Sequence, residues 1–422
     1  MDIDSLLKPF QRFGIHLGLE RIERLLADLG NPHHRVPIIH VAGTNGKGSV
    51  CAYLSAVLTE AGYRVGRYTS PHLVDWNERI CLNEQPISTE TLQELLLQIK
   101  AAIPQDSEDS PTQFEVITAA AWLYFAQQQV DIAVIEVGLG GRLDATNVCE
   151  TPLVTIITSL SREHWQNLGP TLAHIAREKA GILKPGCPTV VGQLPAEAKA
   201  VVEQRIKELE CPTVWVEPAR RSTNALAPTE DWAQYEGIKY PLPLLGEIQL
   251  SNSAIAIATL QILRSQGWKI PEAAISSGMA KAKWPGRLQW TTWKNHRLLI
   301  DGAHNRAAAK ALRQYVDTLN TPVTWVMGIL STKDHADIFE ALLRPGDRLY
   351  LVPVPDHSSA DPNALAILAR TICPELADCC TYPDLEKGLE AATSNPSKIP
   401  ERLIVLCGSL YLIGYFFKHN HR

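Results

Sequence analysis

Residues 38–50 read Ile38-Ile39-His40-Val41-Ala42-Gly43-Thr44-Asn45-Gly46-Lys47-Gly48-Ser49-Val50, and change from an apolar run into a glycine-rich turn and then into helix-forming sequence. Three glycines within six residues keep side chains away from the backbone N–H groups, which can then surround an anion. A helix that begins near Gly48 directs its positive end toward that anion. The order strand, turn, helix therefore predicts a phosphate site in an α/β fold.

Two side chains in this turn suit a nucleotide. Lys47 adds a mobile positive charge, and Ser49 supplies an oxygen ligand for Mg²⁺. The strict P-loop pattern is not met, because Val41 stands five positions before Gly46 and Gly48 separates Lys47 from Ser49. A merely flexible loop would explain the glycines but not the lysine and the serine among them. We therefore predict a nucleotide site.

Composition limits the classes of protein that fit. A chain of 422 residues is too long for one ordinary hydrophobic core, so two domains are expected. A net charge of −5 without a long basic block argues against a nucleic-acid partner and favours small-molecule substrates. Nine cysteines without a C-x-x-C pair indicate reduced thiols. The start at Met1 lacks the pattern of a signal peptide, and no apolar run is long enough for a membrane span. We expect a cytoplasmic protein without a membrane partner.

Polar residues follow three of the strands that the sequence predicts. Ser70 comes after a short strand, Glu136 ends a continuous apolar run, and His164 follows another strand. Ligands of open α/β sheets collect at the carboxyl ends of strands, so a shared metal site for the three residues is plausible. Each residue also has an ordinary structural interpretation: a turn-forming serine before a proline, a solvated glutamate, and a histidine within the fold.

Two further charged residues have open interpretations at this level. Lys179 is either a functional cation or a side chain that stabilises the C-terminus of its own helix. Thr112 and Glu115 have the spacing of a capping box at the start of an apolar helix. Capping alone explains Glu115 without any function.

The pattern changes at Trp284-Pro285-Gly286-Arg287, which we take as a hinge between domains 1–284 and 285–422. Beyond it, a second series of strands and helices is predicted. The predicted strands are 298–300, 323–327, 348–352 and 403–406. The segment 301–305 follows the first of these strands, and a Gly-Ser turn at Ser409 follows the last. Before the hinge, residues 218–248 suit a β-hairpin or an irregular segment.

Taken together, nine motifs resemble one known family. They are HVAGTNGKGSV, YTSPHL, NERI, TQFEVIT, VIEVGLGGRLDATNV, IAREKAGILK, WPGRLQ, IDGAHN and GSLYL, in this order. The same order is found in the folylpolyglutamate synthase/dihydrofolate synthase branch of the Mur ligase superfamily, and the resemblance extends from residue 16 to about 415. It implies an α/β fold in which a P-loop NTPase-like ATP-binding domain is followed by a smaller, Rossmann-like C-terminal domain.

The resemblance also implies the reaction. These enzymes use ATP to join L-glutamate to dihydropteroate, to reduced folates such as tetrahydrofolates, or to both, through an acyl-phosphate intermediate. It implies ATP and Mg²⁺ as cofactors, with two metal ions, and a monomeric protein. We expect a bifunctional dihydrofolate synthase/folylpolyglutamate synthase; the alternatives are only one of the two activities, or another Mur-type amino acid ligase.

The site residues follow from the motifs that match. The resemblance implies ATP contacts by Asn45, Gly46, Lys47, Gly48, Ser49, Asn252, Arg287 and Asp301. It implies metal ligation by Ser49, Ser70, Glu136, His164 and Lys179, the last in carbamylated form, and catalysis by Lys47, Glu136, His164 and Lys179. It implies substrate contacts by Gly18, Leu19, Glu20, Phe114, Leu143, Asp144 and Ala145 on the pterin side and by His304 and Ser409 on the glutamate side.

Three positions depart from the family pattern. Glu163 stands where the family commonly has Asp before the metal-binding histidine, and the longer side chain can shift an orienting contact. Arg306 replaces a proline, which loosens a turn and adds a cation near the cleft. Ile248 replaces a histidine before Gln249, which puts an adenine contact in doubt.

Three rival functions remain at this stage. A cell-wall Mur ligase would need an additional N-terminal domain, for which the sequence before the phosphate loop is too short. A nucleotide-gated binding protein that has lost the chemistry disagrees with the intact Lys47, Glu136, His164 and Lys179. If the protein were a P-loop kinase, its second domain would have no role.

Overall fold

A computed structural model describes residues 2–13, 18–104, 110–223, 231–394 and 402–420 of the chain. The chain divides into two compact units. The first comprises Met1–Pro243 and Gln249–Lys283, and the second Leu244–Ile248 and Trp284–Arg422. The division after Lys283 lies one residue before the predicted boundary, and the short segment Leu244–Ile248 belongs to the second unit.

The first unit contains a mixed sheet of eight described strands. In chain order they are β1 (Ile38–Ala42), β2 (Val65–Tyr68), β3 (Ile80–Leu82), β4 (Gln85–Pro86), β5 (Ile132–Glu136), β6 (Val154–Ile157), β7 (Thr189–Val191) and β8 (Thr213–Trp215). The spatial order is β4-β3-β2-β5-β1-β6-β7-β8. The six strands from β2 to β8 in this order are parallel, and β3 and β4 are antiparallel additions at one edge.

The central strand β1 has a parallel partner on each side. Ile39 is opposite Val134 of β5 and also opposite Val154 of β6. All residues of β1, β5 and β6 are buried, as the continuous apolar runs predict for strands covered by helices on both faces. The carboxyl ends of the three strands therefore lie at the same edge of the sheet, and they carry the segments that follow Ala42, Glu136 and Ile157.

The helices of the first unit cover this sheet. They are α1 (Ile3–Leu7), α2 (Glu20–Asp28), α3 (Lys47–Glu60), α4 (Thr89–Ala102), α5 (Gln113–Gln127), α6 (Trp165–Leu168), α7 (Leu172–Ala180), α8 (Ala196–Glu208), α9 (Ile248–Ser265) and α10 (Glu272–Lys281). Short 3₁₀ helices occupy Lys8–Phe13, Pro32–Arg35 and Trp76–Arg79. Most side chains of α3 and α5 are buried, because both helices are apolar around nearly their whole circumference.

The irregular segment predicted over 218–248 forms a small separate sheet. Its strands are β9 (Arg220–Ser222), β10 (Trp232–Tyr235) and β11 (Ile238–Pro241), all antiparallel. The predicted hairpin corresponds to β10 and β11, and residues 224–230 lie outside the described residues.

The second unit contains another mixed sheet. Its strands are β12 (Gln289–Trp293), β13 (His296–Asp301), β14 (Val323–Met327), β15 (Arg348–Leu351), β16 (Asp378–Thr381) and β17 (Leu403–Cys407), in the order β12-β13-β17-β14-β15-β16. The helices are α11 (Arg306–Asp317), α12 (His335–Leu342), α13 (Pro362–Ile372), α14 (Leu385–Thr393) and α15 (Leu410–Asn420). Strand β12 is antiparallel, and the other strands are parallel.

The sequence analysis did not predict β12 and β16. Strand β12 pairs with β13 across Lys294 and Asn295, which both have positive φ angles of 44° and 69°. These angles suit a two-residue hairpin turn, but the glycine that usually signals such a turn is absent. Strand β16 lies at the edge of the sheet and reads Asp378-Cys379-Cys380-Thr381, which lacks an apolar run. The α/β fold class itself is confirmed.

Within the described part of the chain, no helix combines the length and the apolar character that a membrane crossing requires.

Helices α3 and α10 pack closely at a glycine, and this generates a prediction about stability. A Cβ atom on Gly278 of α10 would lie 2.4 Å from the Cα atom of Val57 in α3, so the two backbones would have to separate. We expect Gly278→Ala to lower the free energy of unfolding by about 1–3 kcal/mol. The measurement is chemical denaturation followed by tryptophan fluorescence.

The control substitution is Ala273→Gly at an exposed position of the same helix. It tests helix propensity alone and should lower the free energy of unfolding by at most ~1 kcal/mol. Propensity by itself predicts that Gly278→Ala stabilises the protein. A stabilised Gly278→Ala variant would therefore contradict the close packing of the two helices.

Candidate functional site

The glycine-rich turn lies between β1 and α3, as predicted. Gly43 has a φ angle of 149° and Gly46 one of 89°, which side chains rarely tolerate. A Cβ atom on Gly43 would lie 2.0 Å from Thr158 Oγ1, and one on Gly46 would lie 2.3 Å from Asn252 Oδ1. Neighbouring side chains thus occupy the space that a Cβ atom would need, and the shape of the turn depends on both glycines.

The segment after β6 holds this turn by several hydrogen bonds. Thr44 N donates to Ser159 O at 2.7 Å, and Asn45 N donates to Ser159 Oγ at 3.2 Å. Asn45 O in turn accepts from Thr158 Oγ1 at 2.7 Å and from Ser159 Oγ at 2.9 Å. Neither Thr158 nor Ser159 is among the residues predicted from the sequence. The available signal was their position at the carboxyl end of a buried strand, where polar side chains meet the neighbouring loops.

The carboxylate of Glu136 contacts both Lys47 and Ser70. Lys47 Nζ lies 3.8 Å from Glu136 Oε1, and the backbone N–H of Ser70 donates to Glu136 Oε2 at 3.2 Å. Glu136 is almost fully buried, and Lys47 also donates to Thr44 O at 3.3 Å. The structure therefore brings together three predicted residues that are far apart in the sequence.

Lys179 is buried and contacts the phosphate loop directly. Its Nζ atom donates to Gly43 O at 2.7 Å. Burial, followed by repulsion from Lys47, lowers the pKa of Lys179 to about 7, although Glu163 and Asp144 act in the opposite direction. Lys179 thus lies in the last turn of its helix, and its amino group is in the interior beside the loop that contains Gly43.

Ser49 and Asn252 are connected through Gln249, a residue that the sequence analysis did not select. Gln249 Nε2 donates to Ser49 Oγ at 3.4 Å, and Asn252 Nδ2 donates to Gln249 Oε1 at 3.0 Å. All three residues are buried. Asn252 lies in the second turn of α9, because the helix begins at Ile248.

His164 differs from the other predicted ligands in its exposure. Its side chain is 42% exposed, and its Nε2 atom lies 3.8 Å from Glu163 Oε1. The residue precedes α6 and has a φ angle of 50°. Glu163, which stands where the family commonly has Asp, therefore still places a carboxylate next to His164. The side chain of Glu163 is mostly buried.

Several residues predicted to contact the pterin lie either in or against the hydrophobic core or near the start of α2. Phe114 lies against Gly138, where a Cβ atom would be 2.3 Å from its ring. Leu19 is partly buried and packs against the hydrophobic core, in which Ala145 is itself buried. Gly18 lies two residues before Glu20, the first residue of α2. A Cβ atom on Gly18 would lie 2.8 Å from Glu20 Oε2.

Asp144 is engaged within its own loop, next to the half-buried Leu143. Its carboxylate accepts from Leu139 N at 2.7 Å, from Thr146 N at 3.0 Å and from Thr146 Oγ1 at 2.6 Å. Burial raises the pKa of Asp144, and these hydrogen bonds oppose the rise. Thr146 Oγ1 also lies 2.9 Å from Nε2 of His40 in β1. The loop after β5 is thus held to the central strand by a buried polar chain.

Glu115 does more than cap its helix. Its Oε2 atom accepts from Thr112 N at 2.6 Å, which completes the predicted capping box. The same carboxylate also forms an ion pair with Arg21 of α2, with Nη2 at 3.1 Å from Oε1 and Nε at 3.1 Å from Oε2. It therefore connects the start of α5, where Phe114 lies, to the segment that contains Gly18, Leu19 and Glu20.

In the second unit, Asp301 organises the segment after β13. Its carboxylate accepts from Leu288 N and from Ala303 N, both at 2.8 Å. Burial raises the pKa of Asp301, and the positive charge of Arg287 opposes the rise. His304 Nδ1 lies 2.7 Å from Gly302 O, so this nitrogen carries the proton. Ser409 is buried, and its hydroxyl accepts from Tyr411 N at 3.2 Å.

The structure shows the surroundings of the other two departures. The exposed Arg306 lies 3.6 Å from Asp337 and 3.6 Å from Glu340 of α12, which partly compensate its charge. Asn305 caps α11 by accepting from Ala308 N at 2.9 Å, so the turn remains anchored without the proline. Ile248 is 38% exposed at the start of α9.

The phosphate loop fits a nucleotide with a divalent metal. The loop backbone at Gly43 and Gly46 has no space for side chains, as expected for a cradle of N–H groups around an anion. Ser49 Oγ and the Glu136 carboxylate are hard oxygen donors of the type that Mg²⁺ prefers. Among the described residues, no three His, Cys, Asp or Glu side chains form a cluster that could hold a metal.

Comparisons with known proteins agree with this geometry. Residues 41–260 match the family described as Mur ligase middle domain, and residues 287–419 match the family described as dihydrofolate synthetase, C-terminal domain.

Individual relatives match over nearly their full lengths. A dihydrofolate synthetase of Saccharomyces cerevisiae is 37% identical and covers 96% of this chain and 98% of its own. A dihydrofolate synthase/folylpolyglutamate synthase of Bacillus subtilis is also 37% identical, and the match covers 98% of this chain and 97% of the relative. A crystal structure of a bifunctional folylpolyglutamate synthase/dihydrofolate synthase with Mn, AMPPNP and L-glutamate bound has a TM-score of 0.85 and 30% identity, over 100% of this chain and 98% of that chain.

The buried His40 generates a prediction about pH dependence. Burial lowers the pKa of His40 to about 3, so below the ordinary pKa of a histidine the unfolded chain binds a proton that the folded chain does not. Stability therefore falls as the pH falls, and His40 alone should remove about 2 kcal/mol of unfolding free energy between about pH 7 and about pH 5. Chemical denaturation at the two pH values measures this change.

The variant His40→Asn should show a smaller loss between the two pH values than the wild type. His296→Asn, which alters an exposed histidine, should keep the wild-type pH dependence. An equal pH dependence of the wild type and His40→Asn would contradict a neutral, buried His40.

Proposed function

The chain belongs to the dihydrofolate synthase and folylpolyglutamate synthase family of Mur ligases, and on that basis we propose an ATP-dependent ligase that joins L-glutamate to folate-type carboxylic acids. The observation that carries this function is the glycine-shaped phosphate loop, in which Lys47 lies 3.8 Å from the buried Glu136. A binding protein without catalysis would not need this charged pair in its phosphate site.

The chemistry has two steps. A carboxylate is a poor electrophile, so the γ-phosphoryl group of ATP is first transferred to it, which gives an acyl phosphate and ADP. The amine of glutamate then attacks the acyl carbon, and phosphate leaves with its pair of electrons after the amine has lost a proton. The protein contributes mainly by positioning the reactants and by neutralising charge on the phosphates.

Each residue around the phosphate loop has a role in this proposal. Lys47 binds phosphate oxygens, and its present contact with Glu136 keeps the ammonium group close to the loop. Asn45, Gly46, Gly48 and Ser49 surround the phosphates, and Asn252 contacts ATP from α9. The hydrogen bonds from Thr158 and Ser159 to Asn45 support this arrangement, because they fix the loop before any ligand binds.

The proposed metal ligands are Ser49, Ser70, Glu136, His164 and a modified Lys179. A divalent metal such as Mg²⁺ would neutralise phosphate charge, and the resemblance implies two ions. The solved relative with Mn and AMPPNP supports a metal together with a nucleotide. The buried carboxylate of Glu136, which also accepts the N–H of Ser70, is the best-defined donor of this set.

The remaining roles follow from the resemblance and stay proposals. Arg287 and Asp301 contact ATP, and His304 and Ser409 contact glutamate. The pterin is contacted by Gly18, Leu19, Glu20, Phe114, Leu143, Asp144 and Ala145. We further propose that the protein works on small molecules as a monomer in the cytoplasm.

We propose that both acceptors are used, because relatives named for both activities match this chain over nearly its full length. The test is glutamate-dependent ADP release with Mg²⁺ and ATP, measured separately with dihydropteroate and with tetrahydrofolate. Turnover with both supports bifunctionality, and turnover with one identifies the single activity. No turnover with either would contradict the ligase and favour the binding-protein alternative.

In the same assay, Lys47→Ala should reduce glutamate-dependent ADP release at least about a hundredfold, because charge neutralisation on the phosphates is lost. Lys100→Ala, at an exposed position near the end of α4, is the control and should keep full activity. Full activity of Lys47→Ala would contradict the role of the phosphate loop.

We also propose that Lys179 is carbamylated. In this reaction the neutral amine attacks CO₂, an N–C bond forms, one proton is released, and an anionic oxygen ligand results. Burial supports the proposal, because it disfavours the ammonium form next to Lys47. In ¹³C-bicarbonate buffer, we expect a carbamate signal by ¹³C NMR that disappears in Lys179→Arg.

The control for this experiment is Lys184→Arg. Burial also lowers the pKa of Lys184, but this lysine lies beyond the end of α7. The carbamate signal should persist in Lys184→Arg. A signal that disappears in this variant, or that is absent from the wild type, would contradict carbamylation of Lys179.

A further inference from the structure

The short 3₁₀ helix Trp76–Arg79 contains the first three residues of the NERI motif, which spans residues 77–80. Neither the sequence nor the proposed function assigns a role to this motif. The helix follows the segment 69–75, which we call the Ser70 loop, and precedes β3. Two side chains of this helix bind parts of the first unit outside the Ser70 loop. Trp76 Nε1 donates to Asp4 Oδ1 at 2.8 Å, and Asn77 Nδ2 donates to Ile87 O at 2.6 Å. The helix is thus firmly attached on two sides.

The carboxylate of Glu78 binds three consecutive backbone N–H groups of the Ser70 loop. Its Oε2 atom accepts from Leu73 N at 2.7 Å, and its Oε1 atom accepts from Val74 N and from Asp75 N, both at 2.8 Å. These are short, charge-assisted hydrogen bonds, which are about twice as strong as neutral ones. Capping of the 3₁₀ helix requires only the bond from Asp75, so the other two bonds restrain the loop itself.

Arg79 restrains the same loop from the other end of the helix. Its backbone oxygen accepts from Thr69 N at 3.0 Å, and its Nε atom donates to His72 Nδ1 at 2.9 Å. The guanidinium group also lies 4.4 Å from the centre of the Trp76 ring. Glu78 and Arg79 therefore hold the Ser70 loop at three places: the Glu78 carboxylate at residues 73–75, the Arg79 side chain at His72, and the Arg79 backbone oxygen at Thr69.

The restrained loop contains Ser70, which the first unit also holds at Glu136. The N–H of Ser70 donates to Glu136 Oε2, so the position of the Ser70 hydroxyl depends on the backbone of the loop. A hydroxyl group is a weak metal ligand and cannot organise its own backbone. Its placement next to a carboxylate has to come from neighbouring residues.

We propose that Glu78 is a positioning residue for metal binding: by clasping Leu73, Val74 and Asp75 it holds the Ser70 loop so that the Ser70 hydroxyl faces the metal site with Glu136. Glu78 does not touch the metal or the substrates in this role. The inference rests on the proposed function, in which Ser70 and Glu136 are ligands of a divalent metal that binds together with ATP.

The test compares nucleotide binding with and without metal. Titration calorimetry measures the affinity of the full chain for AMPPNP in the presence of Mg²⁺ and in the presence of EDTA. We expect Glu78→Gln to weaken AMPPNP binding with Mg²⁺ roughly tenfold, as is typical for residues that orient a metal ligand. Binding in EDTA should not change, because the phosphate loop itself is unaffected.

Hydrogen exchange supplies a second readout. In Glu78→Gln, the amides of Leu73, Val74 and Asp75 should exchange faster than in the wild type, because one carboxylate oxygen is replaced by a donor. Glu78→Ala, which removes all three bonds, should show the larger change in both measurements. A graded effect of this kind distinguishes positioning from a general loss of stability.

The matched control is Glu84→Gln on the neighbouring turn between β3 and β4. The carboxylate of Glu84 accepts from Ser55 and from Arg67, so the substitution also removes hydrogen bonds from a partly buried glutamate. Glu84→Gln should keep the Mg²⁺-dependent affinity. An equal loss in Glu84→Gln would overturn the proposal, because it would point to a general effect of destabilisation.

Ser70→Ala separates failure of this inference from failure of the proposed function. If Ser70→Ala weakens binding with Mg²⁺ and Glu78→Gln does not, the positioning role is overturned while the metal site stands. Faster exchange in Glu78→Gln without a change in Mg²⁺-dependent affinity has the same meaning. If Ser70→Ala has no effect, the proposed ligand role of Ser70 fails, and the positioning role fails with it.

Discussion

The parallel pairing of β1 with β5 on one side and β6 on the other is the constraint on which the site depends. Because all three strands run in the same direction, the phosphate loop, Glu136 and the segment that starts at Thr158 leave the sheet at the same edge. Backbone pairing alone would not hold this arrangement. The absence of side chains at Gly43 and Gly46 allows the loop to approach Thr158 and Asn252 closely.

Charge is distributed unevenly around this loop. Lys47 lies close to the buried carboxylate of Glu136. Lys179 donates to the oxygen of Gly43 and is repelled by Lys47. The burial of Lys179 disfavours its charged form, which reduces the repulsion between the two lysines before any anion binds. In the proposed function, the triphosphate of ATP would bring negative charge next to Lys47.

Two glutamates show how a capping residue can acquire a second role. Glu115 caps α5 and also forms an ion pair with Arg21, and Glu78 caps a short 3₁₀ helix and also binds Leu73 and Val74. A carboxylate has two oxygen atoms with about four acceptor positions, so capping leaves further positions available. Sequence spacing reveals the local hydrogen bond of such a residue but not the distant one.

The sequence by itself determined the buried strands, the phosphate loop with Lys47 and Ser49, and the family, because these depend on local patterns of apolar residues and glycines. Only the tertiary structure decided that Gln249 joins Ser49 to Asn252, that Lys179 lies beside Gly43, and that Glu115 pairs with Arg21. Such contacts arise when separate strands and helices pack together, and packing between distant segments leaves no periodic signal in the chain. Where a polar group is buried against a distant segment, its partner is therefore known only from the folded protein.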